Sequence, residues 1–455
     1  MTMNRRSLLR TAGRHAALPI APATVGAVFA GDRDEAPAGR APAASESATG
    51  QRRAAAPLKI RSVEPILIRT PAGPKPFPDL TSMTDRGALT GGTGVWNRID
   101  HATPSRTPGY EQALLVRITT EDGLSGWGEA HAPSAPRMHQ RIITDLFGPT
   151  LIGEDARNVE ALWEKLFSLE RVRGYFTGAH TEALAAVDLA LWDLLGRAVG
   201  QPVWQLLGGR FRDRIPQYLG IGGGSAEEVA ARAKDAMDRG FRMVKMGFRK
   251  GPGTADLAFV AAAADAVRGR GQVAVDSLGA FKLHEAVKIG REFDRMGGAI
   301  AWFEDPLLAE DVSGYRILAE SIDTPVTAGE ALSNRFQFRD LFLAKAVDIV
   351  NPDVCRAAGI TECRRIAALA DAYGVLWSPH VSTGTALYVA ASAHLAAATS
   401  NALIMEGGQK LPGPLGNALL QQPLVMANGQ FVVPDGPGFG VDFDEAALRR
   451  VTVEG

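Results

Sequence analysis

"VAVDS" at residues 273–277 and "IAWFEDPL" at 300–307 decide the fold between them. Each is a short apolar run, and each stops on a carboxylate, Asp276 in the first and Glu304 in the second. Apolar runs of this length, without polar alternation, read as strands buried on both faces. The same unit repeats outward in both directions. "VKMGF" (244–248) precedes the pair, and "VTAGE" (326–330), "DIVNPDV" (348–354), "VLWSPH" (375–380) and "LIMEGG" (403–408) follow it. "RIPQYLGIGG" (214–223) stands at the front as one further strand. Amphipathic helical segments separate the runs, for instance "TECRRIAALADAYG" and "TALYVAASAHLAAAT". Repeated strand–helix alternation implies parallel strands joined by crossover helices, and eight such units in roughly 200 residues fit a closed (β/α)8 TIM barrel better than an open sheet. The expected fold class is α/β, with the barrel over residues 210–420.

Strand ends are where such a barrel places its chemistry. The runs end at or near Lys245, Asp276, Glu304, Glu330, Asp353, His380 and Glu406, spaced 23 to 31 residues apart. Seven ionisable groups in a ring cannot be an apolar core, because each is costly to bury without a partner. Asp276, Glu304 and Glu330 fall on three adjacent strands and form a set of hard oxygen donors suited to Mg²⁺. Asp353 and His380 occupy the next two strands, where a carboxylate can orient an imidazole and raise its basicity. Lys245 faces that pair from across the barrel. A divalent cation opposite a histidine or lysine base is one solution to removing a proton α to a carboxylate.

With these residues in view, the chain resembles the mandelate racemase/muconate lactonizing branch of the enolase superfamily over nearly all of residues 58–455. "GWGEA" (126–130), "AAVDLALWDLLGRAVGQPVWQLLGG" (185–209), "WFEDPL" (302–307), "TAGEALSNRF" (327–336), "NPDV", "AGIT" and "SPH" follow in that family's order, and "VPDGPGFGVDFDE" (433–445) is similar to its C-terminal return. The resemblance implies a modified barrel of (β/α)7β type, an N-terminal α+β capping domain over 58–209, and a segment at 421–455 that returns to the cap. It also implies one Mg²⁺ on Asp276, Glu304 and Glu330, with Asp353 and His380 as the catalytic dyad. Glu406 matches the family's acid on strand eight, which helps to stabilise the enediolate.

Two departures from the family pattern bear on the reaction. A second lysine two residues after the first is common in relatives, whereas this chain has Lys245-Met246-Gly247. The residue two past the first metal ligand, often Asn or His in relatives, is Leu278. A racemase needs a base on each face of one carbon, and only His380 is clearly equipped. The expectation is therefore a Mg²⁺-dependent dehydratase of a sugar acid, an aldonate or aldarate. His380 would remove the α-proton and return it to the departing β-hydroxyl in a syn elimination. Lys245 would bind substrate or stabilise charge, with Arg249 a candidate substitute for the absent lysine. Rival readings are a racemase or epimerase of a 2-hydroxy acid using Lys245 against His380, and an exported, non-catalytic sugar-acid binding protein. An aligned general base argues against the latter.

The cap pattern is legible before the barrel begins. "LKIRSVEPILIRT" alternates like a strand, and "EQALLVRITTEDGLSGWGEA" reads as a hairpin turning at Glu121-Asp122-Gly123. "TEALAAVDLALWDLLGRAVG" (181–200) has helical periodicity and stops at Gly200. Residues 71–110 make a long loop in which Arg86, Trp96, Arg98, His101 and Arg106 are candidates for substrate choice.

Composition excludes some partners. The chain is 46% hydrophobic and 22% charged with net charge -1, so nothing draws it to nucleic acid or an anionic membrane. The spacing of Cys355 and Cys363 argues against both a disulfide and a cysteine metal site. "NRRSLLR" (4–10) followed by the uncharged "AALPIAPATVGAVFA" (16–30) reads as a signal peptide at 1–30. Its arginine pair points to the twin-arginine route and a periplasmic or exported protein. The apolar stretch is too short to anchor the chain in a membrane. Residues 31–57 read as a flexible linker. The expected partners are a small sugar acid and further copies of the chain in a homo-oligomer.

Overall fold

The structure is a computed structural model and describes residues 57–70, 111–133, 135–248, 255–407 and 411–453. The signal and all but the last residue of the linker, the five candidates in the 71–110 loop, and Arg249 lie outside the described residues.

The cap is an antiparallel sheet of β1 (Ile60–Arg69), β2 (Gln112–Thr120) and β3 (Ser125–Ala130), covered by α1 (Pro136–Ile142), α2 (Val159–Ser168) and α3 (Ala179–Val199). The hairpin turns where the sequence places it, with Gly123 at φ 90° and its N–H bonded to the Thr120 carbonyl at 3.0 Å. α3 ends on Gly200 in the left-handed region, the conformation that glycine adopts without a side-chain penalty. The "GWGEA" glycines have a packing reason. A Cβ on Gly128 would lie 1.8 Å from the Ala186 carbonyl oxygen, and one on Gly126 would lie 2.3 Å from that of Ala190. β3 and α3 therefore meet backbone to backbone, which also explains why the facing stretch of α3 is rich in alanine.

The barrel sheet runs β5 (Leu219–Ile221), β6 (Met243–Gly247), β7 (Gln272–Asp276), β8 (Ile300–Glu304), β9 (Val326–Ala328), β10 (Ile349–Val350) and β11 (Leu376–Trp377), every neighbouring pair parallel. An eighth segment closes it through parallel bridges, Ala402 to Trp377 on one side and Met405 to Gln217 on the other. Seven helices fill the crossovers: α4 (Ala226–Asp238), α5 (Ala255–Val267), α6 (Leu283–Met296), α7 (Val312–Ser321), α8 (Arg335–Ala344), α9 (Gly359–Ala372) and α10 (Ala386–Ala397). Among the described residues no crossover helix follows the eighth segment, so the architecture is a TIM barrel of (β/α)7β type. Its interior below the mouth is apolar, with Tyr218, Met243, Ala274, Trp302, Ile349 and Ile404 in one buried cluster.

One sequence expectation needs correction. "RIPQYLGIGG" is not a single barrel strand. Its first part, β4 (Arg214–Pro216), pairs antiparallel with β13 (Gln430–Val432), which in turn pairs with β12 (Met426–Ala427). The change of sheet comes at Gln217, whose amide still bonds the Gly429 carbonyl at 2.9 Å while the residue bridges Met405 of the barrel. Beyond β13, α11 (Glu445–Val451) leads the chain back to the first sheet, where Thr452 bridges Ile68. No helix among the described residues is long and apolar enough to cross a membrane.

His394 on α10 gives the fold a predictable pH response. It is fully buried, its Nδ1 accepting the Trp204 amide at 3.1 Å and its Nε2 donating to the Phe439 carbonyl at 3.2 Å. Only a neutral ring makes both bonds, and burial pushes its pKa from 6.5 down to about 3. Above pH 6.5 the ring is neutral in both folded and unfolded chains. As pH falls from there towards 3, only the unfolded chain binds the proton, so this group costs up to about 1.4 kcal/mol of stability per pH unit. His394→Asn is expected to flatten the fall in the urea midpoint between roughly pH 6 and 4.5, a window inside that range. An unchanged slope would contradict this assignment.

Candidate active site

The alternation of a strand decides which side chains reach the mouth. Lys245 is an inward residue in the middle of β6, Asp276 and Glu304 are the last residues of β7 and β8, and Glu330 follows β9 by two residues. Lys245 is buried, with its Nζ 2.8 Å from Glu304 Oε1, 3.0 Å from Asp276 Oδ2 and 3.6 Å from Glu406 Oε1. The Tyr218 ring lies beside it, 5.7 Å from ammonium to centroid. Burial alone would lower the Lys245 pKa, but Glu304 and Glu406 hold it well above the ordinary lysine value.

Glu304 is fixed by two further donors. Trp302 Nε1 reaches its Oε2 at 2.8 Å, and Asn351 Nδ2 reaches its Oε1 at 2.9 Å. Burial drives the Glu304 pKa up; Lys245 opposes that shift, and Asp276, Glu330 and Glu406 add to it. The net direction is upward, with burial the largest cause. Asp276 accepts the Leu278 amide on Oδ1 at 3.1 Å, a turn that puts Leu278 at φ 46°. A leucine in the left-handed region is strained, and the strain sits one bond from the acidic cluster.

The dyad is formed. His380 Nδ1 is 2.7 Å from Asp353 Oδ2, and Asp353 also accepts the Cys355 amide at 2.8 Å and the Tyr388 hydroxyl. Burial works against the ionised Asp353, yet the His380 bond outweighs it and holds the acid at about 2. An ionised Asp353 fixes the proton on Nδ1 and leaves Nε2 facing the pocket, 3.3 Å from Glu330 Oε2 and 3.7 Å from Glu406 Oε2. Burial disfavours an imidazolium here, but Glu330, Asp353 and Glu406 together lift His380 to about 9. Glu406 also accepts the Val381 amide at 3.2 Å.

The structure thus brings all seven sequence-derived residues to one mouth. It adds four that sequence reasoning did not single out. Trp302 sits two residues before Glu304 on the same face of β8, so strand parity could have found it, whereas Asn351 lies just past the end of β10 and has no such signal. Tyr388, on a helix that follows the dyad, and Tyr218, at the front of the barrel, carry no comparable signal. Cys355 and Cys363 are free and buried, and the Cys363 thiol donates to the backbone carbonyl of Asp353 at 3.7 Å.

A metal fits these residues. Asp276, Glu304 and Glu330 each offer a carboxylate oxygen, all within 4.8 Å of one another. Five carboxylates converge on the pocket against Lys245 and His380, so a divalent cation would balance the excess negative charge that lifts His380 above its ordinary value.

Comparison with known proteins agrees with the geometry. A sequence profile described as "Mandelate racemase / muconate lactonizing enzyme, N-terminal domain" matches residues 94–208, and one described as "Enolase C-terminal domain-like" matches 228–447. The chain is 32% identical over 353 residues to D-galactarolactone cycloisomerase of Agrobacterium fabrum, covering 74% of this chain and 90% of that one. It is also 32% identical over 351 residues to D-galactonate dehydratase of Variovorax paradoxus, again covering 74% and 90%. Among solved structures, the 3,6-anhydro-D-galactonate cycloisomerase of Zobellia galactanivorans superposes with a TM-score of 0.72 at 29% identity, covering 87% of this chain and 100% of that one. Barrel, cap and matched profiles together place this chain in the mandelate racemase/muconate lactonizing branch of the enolase superfamily.

Proposed function

We propose that this protein is a Mg²⁺-dependent lyase that dehydrates a sugar acid. The observation that carries the reading is the Asp353–His380 dyad, whose Nε2 faces the pocket 3.3 Å from Glu330 of the carboxylate cluster. Asp276, Glu304 and Glu330 would hold the ion. Bound there, Mg²⁺ supplies the positive charge that a substrate carboxylate needs as its α-proton leaves. His380 Nε2 takes that proton, and Asp353 stabilises the imidazolium. As the β-carbon–oxygen bond breaks, the proton passes from Nε2 to the departing hydroxyl, which leaves as water. The enol that remains tautomerises to a 2-keto-3-deoxy acid. One histidine serving both steps implies syn elimination.

Lys245 speaks against the racemase alternative. Its Nζ is engaged by Glu304 at 2.8 Å and Asp276 at 3.0 Å, so it would have to leave both carboxylates before it could serve as a second base. A second reading, ring opening of a lactone or anhydro sugar acid, uses the same α-proton step and differs only in the leaving oxygen. It is supported by the two cycloisomerases among the relatives.

A stereochemically complete set of aldonates, aldarates and their lactones, incubated with enzyme and Mg²⁺, tests the proposal. A keto-deoxy acid formed from an open-chain member supports dehydration, while turnover of cyclic members alone favours ring opening. Interconversion of stereoisomers with no elimination would overturn both. We also propose that the enzyme acts outside the cytoplasm, on the strength of "NRRSLLR" and the apolar stretch that follows it. An intact Met1 on cytoplasmic protein from the native host would refute export.

A further inference from the structure

Arg356 reaches both domains from one short stretch of chain. It lies in the loop after β10, three residues past Asp353, and the cap grips that loop on several sides. The His131 amide bonds the Cys355 carbonyl at 2.9 Å, Trp163 Nε1 bonds the Ala358 carbonyl at 2.7 Å, and Asp188 accepts both the amide and the hydroxyl of Thr361. Ala358 and Gly359 both have positive φ, so the loop is held in a sharply turned shape.

The guanidinium divides its contacts. Nη1 donates to the backbone carbonyl of Glu330 at 2.7 Å, and Nη2 lies 2.9 Å from Nδ1 of the cap residue His131. Nε stands 3.3 Å from Oε1 of the cap residue Glu182, outside hydrogen-bond geometry, so that contact is one of charge rather than direction. Glu182 is otherwise held by His139 at 2.6 Å, and the His131 ring lies 6.4 Å from the His380 ring, centroid to centroid. A planar fork suits this task, since it can bind several acceptors in fixed directions. The seating of the cap, through Glu182 and His131, thereby sets the direction of a side chain that fixes the backbone of Glu330.

We propose that Arg356 is a positioning residue that couples cap docking to metal binding, so that a seated cap orients Glu330 for the ion and the bound ion in turn tightens the cap. Such coupling is reciprocal: a contact between cap and Arg356 must appear in the affinity of the barrel for the ion, and the ion must appear in the protection of cap amides. The inference rests on the Mg²⁺ assignment above, and its readouts are separate from turnover.

The probe is Mg²⁺ alone, added to the full chain and followed by calorimetry and by amide hydrogen exchange. Glu182→Gln removes the charge facing Arg356 and touches none of the three carboxylates. It is expected to weaken Mg²⁺ binding about tenfold, within the usual span of coupling between sites. Arg356→Leu should weaken it at least as much, Arg356→Lys should restore part of the loss, and the double variant should be no worse than Arg356→Leu. In wild type, Mg²⁺ should slow exchange at the His131 and Gly178 amides, which bond the Cys355 carbonyl and Ser333 Oγ across the interface. That slowing should vanish in the variants. If Arg356→Leu does not fold, Glu182→Gln and Arg356→Lys decide the question. A Mg²⁺ affinity within twofold of wild type in Glu182→Gln, with cap protection indifferent to Mg²⁺, overturns the coupling and leaves the metal site standing. A wild-type chain that binds no Mg²⁺ overturns both.

Discussion

Asparagine in place of His380 is expected to lower kcat by at least about 10²–10⁴-fold, the range that one positioned acid or base contributes, because this histidine serves as both. The substitution is chosen to spare the fold. The Asn amide can approximate Nδ1 as a donor to Asp353, and the Cys355 amide and Tyr388 hydroxyl still hold the other bonds of that buried carboxylate. Stability should therefore change far less than it would if a buried charge lost all its partners. Asp353→Asn should also be damaging, since the imidazole loses its orientation and the charge that stabilises its protonated form. The sharper readout is α-proton exchange in deuterated water with a slow substrate, which wild type should show and His380→Asn should not. Continued exchange in the variant would make Lys245 a base in its own right, despite its contacts with Glu304 and Asp276, and would restore the two-base racemase.

Removal of the metal is the second large effect. Chelation is expected to lower turnover by at least about 10³-fold, because charge stabilisation by a bound ion is worth several kcal/mol and each 1.4 kcal/mol is tenfold in rate. Added Mg²⁺ should restore the activity. Glu330→Gln replaces an anionic ligand with a neutral amide and should weaken binding by at least about 10–100-fold, the range seen when even a supporting partner of a ligand is lost. The same variant makes a second prediction, independent of turnover. Glu330 is the foremost of the carboxylates that lift His380 to about 9. Without that charge the imidazole should titrate lower in the metal-free protein, which NMR of the ring protons would show. Full activity after exhaustive chelation would remove the metal from the proposal. A His380 titration that does not move would show that Glu330 is turned away from the dyad.

Much of this protein is legible from short stretches read one at a time. A parallel strand buried on both faces is an apolar run, and its C-terminal end is the first place where a polar side chain is tolerable, so "VAVDS" and "IAWFEDPL" announce both the barrel and the carboxylates at its mouth. Local chemistry likewise marks the hairpin at Gly123 and the end of α3 at Gly200, because positive φ and helix termination are properties of a few consecutive residues. The identities of Lys245, Asp276, Glu304, Glu330, Asp353, His380 and Glu406 were therefore available before any coordinates.

Their pairings were not, since each joins residues far apart in the chain. The sequence reads the same whether Lys245 is a neutral base or an ammonium clamped between carboxylates. Only the 2.8 and 3.0 Å contacts with Glu304 and Asp276 decide between those states. Tyr388 reaches Asp353 from a helix that no local pattern connects to the dyad, and Arg356 meets Glu182 and His131 only because the cap sits on the loop after β10. Pro216 shows the same division within one segment: composition predicts a strand, but the choice of sheet waits for β13, more than 200 residues later. Periodicity and turn chemistry act within a few residues of one another, which is why sequence alone determined the elements and the reactive groups. Charge balance and partner choice depend on which surfaces meet, and those were decided only when the chain closed into a barrel beneath its cap.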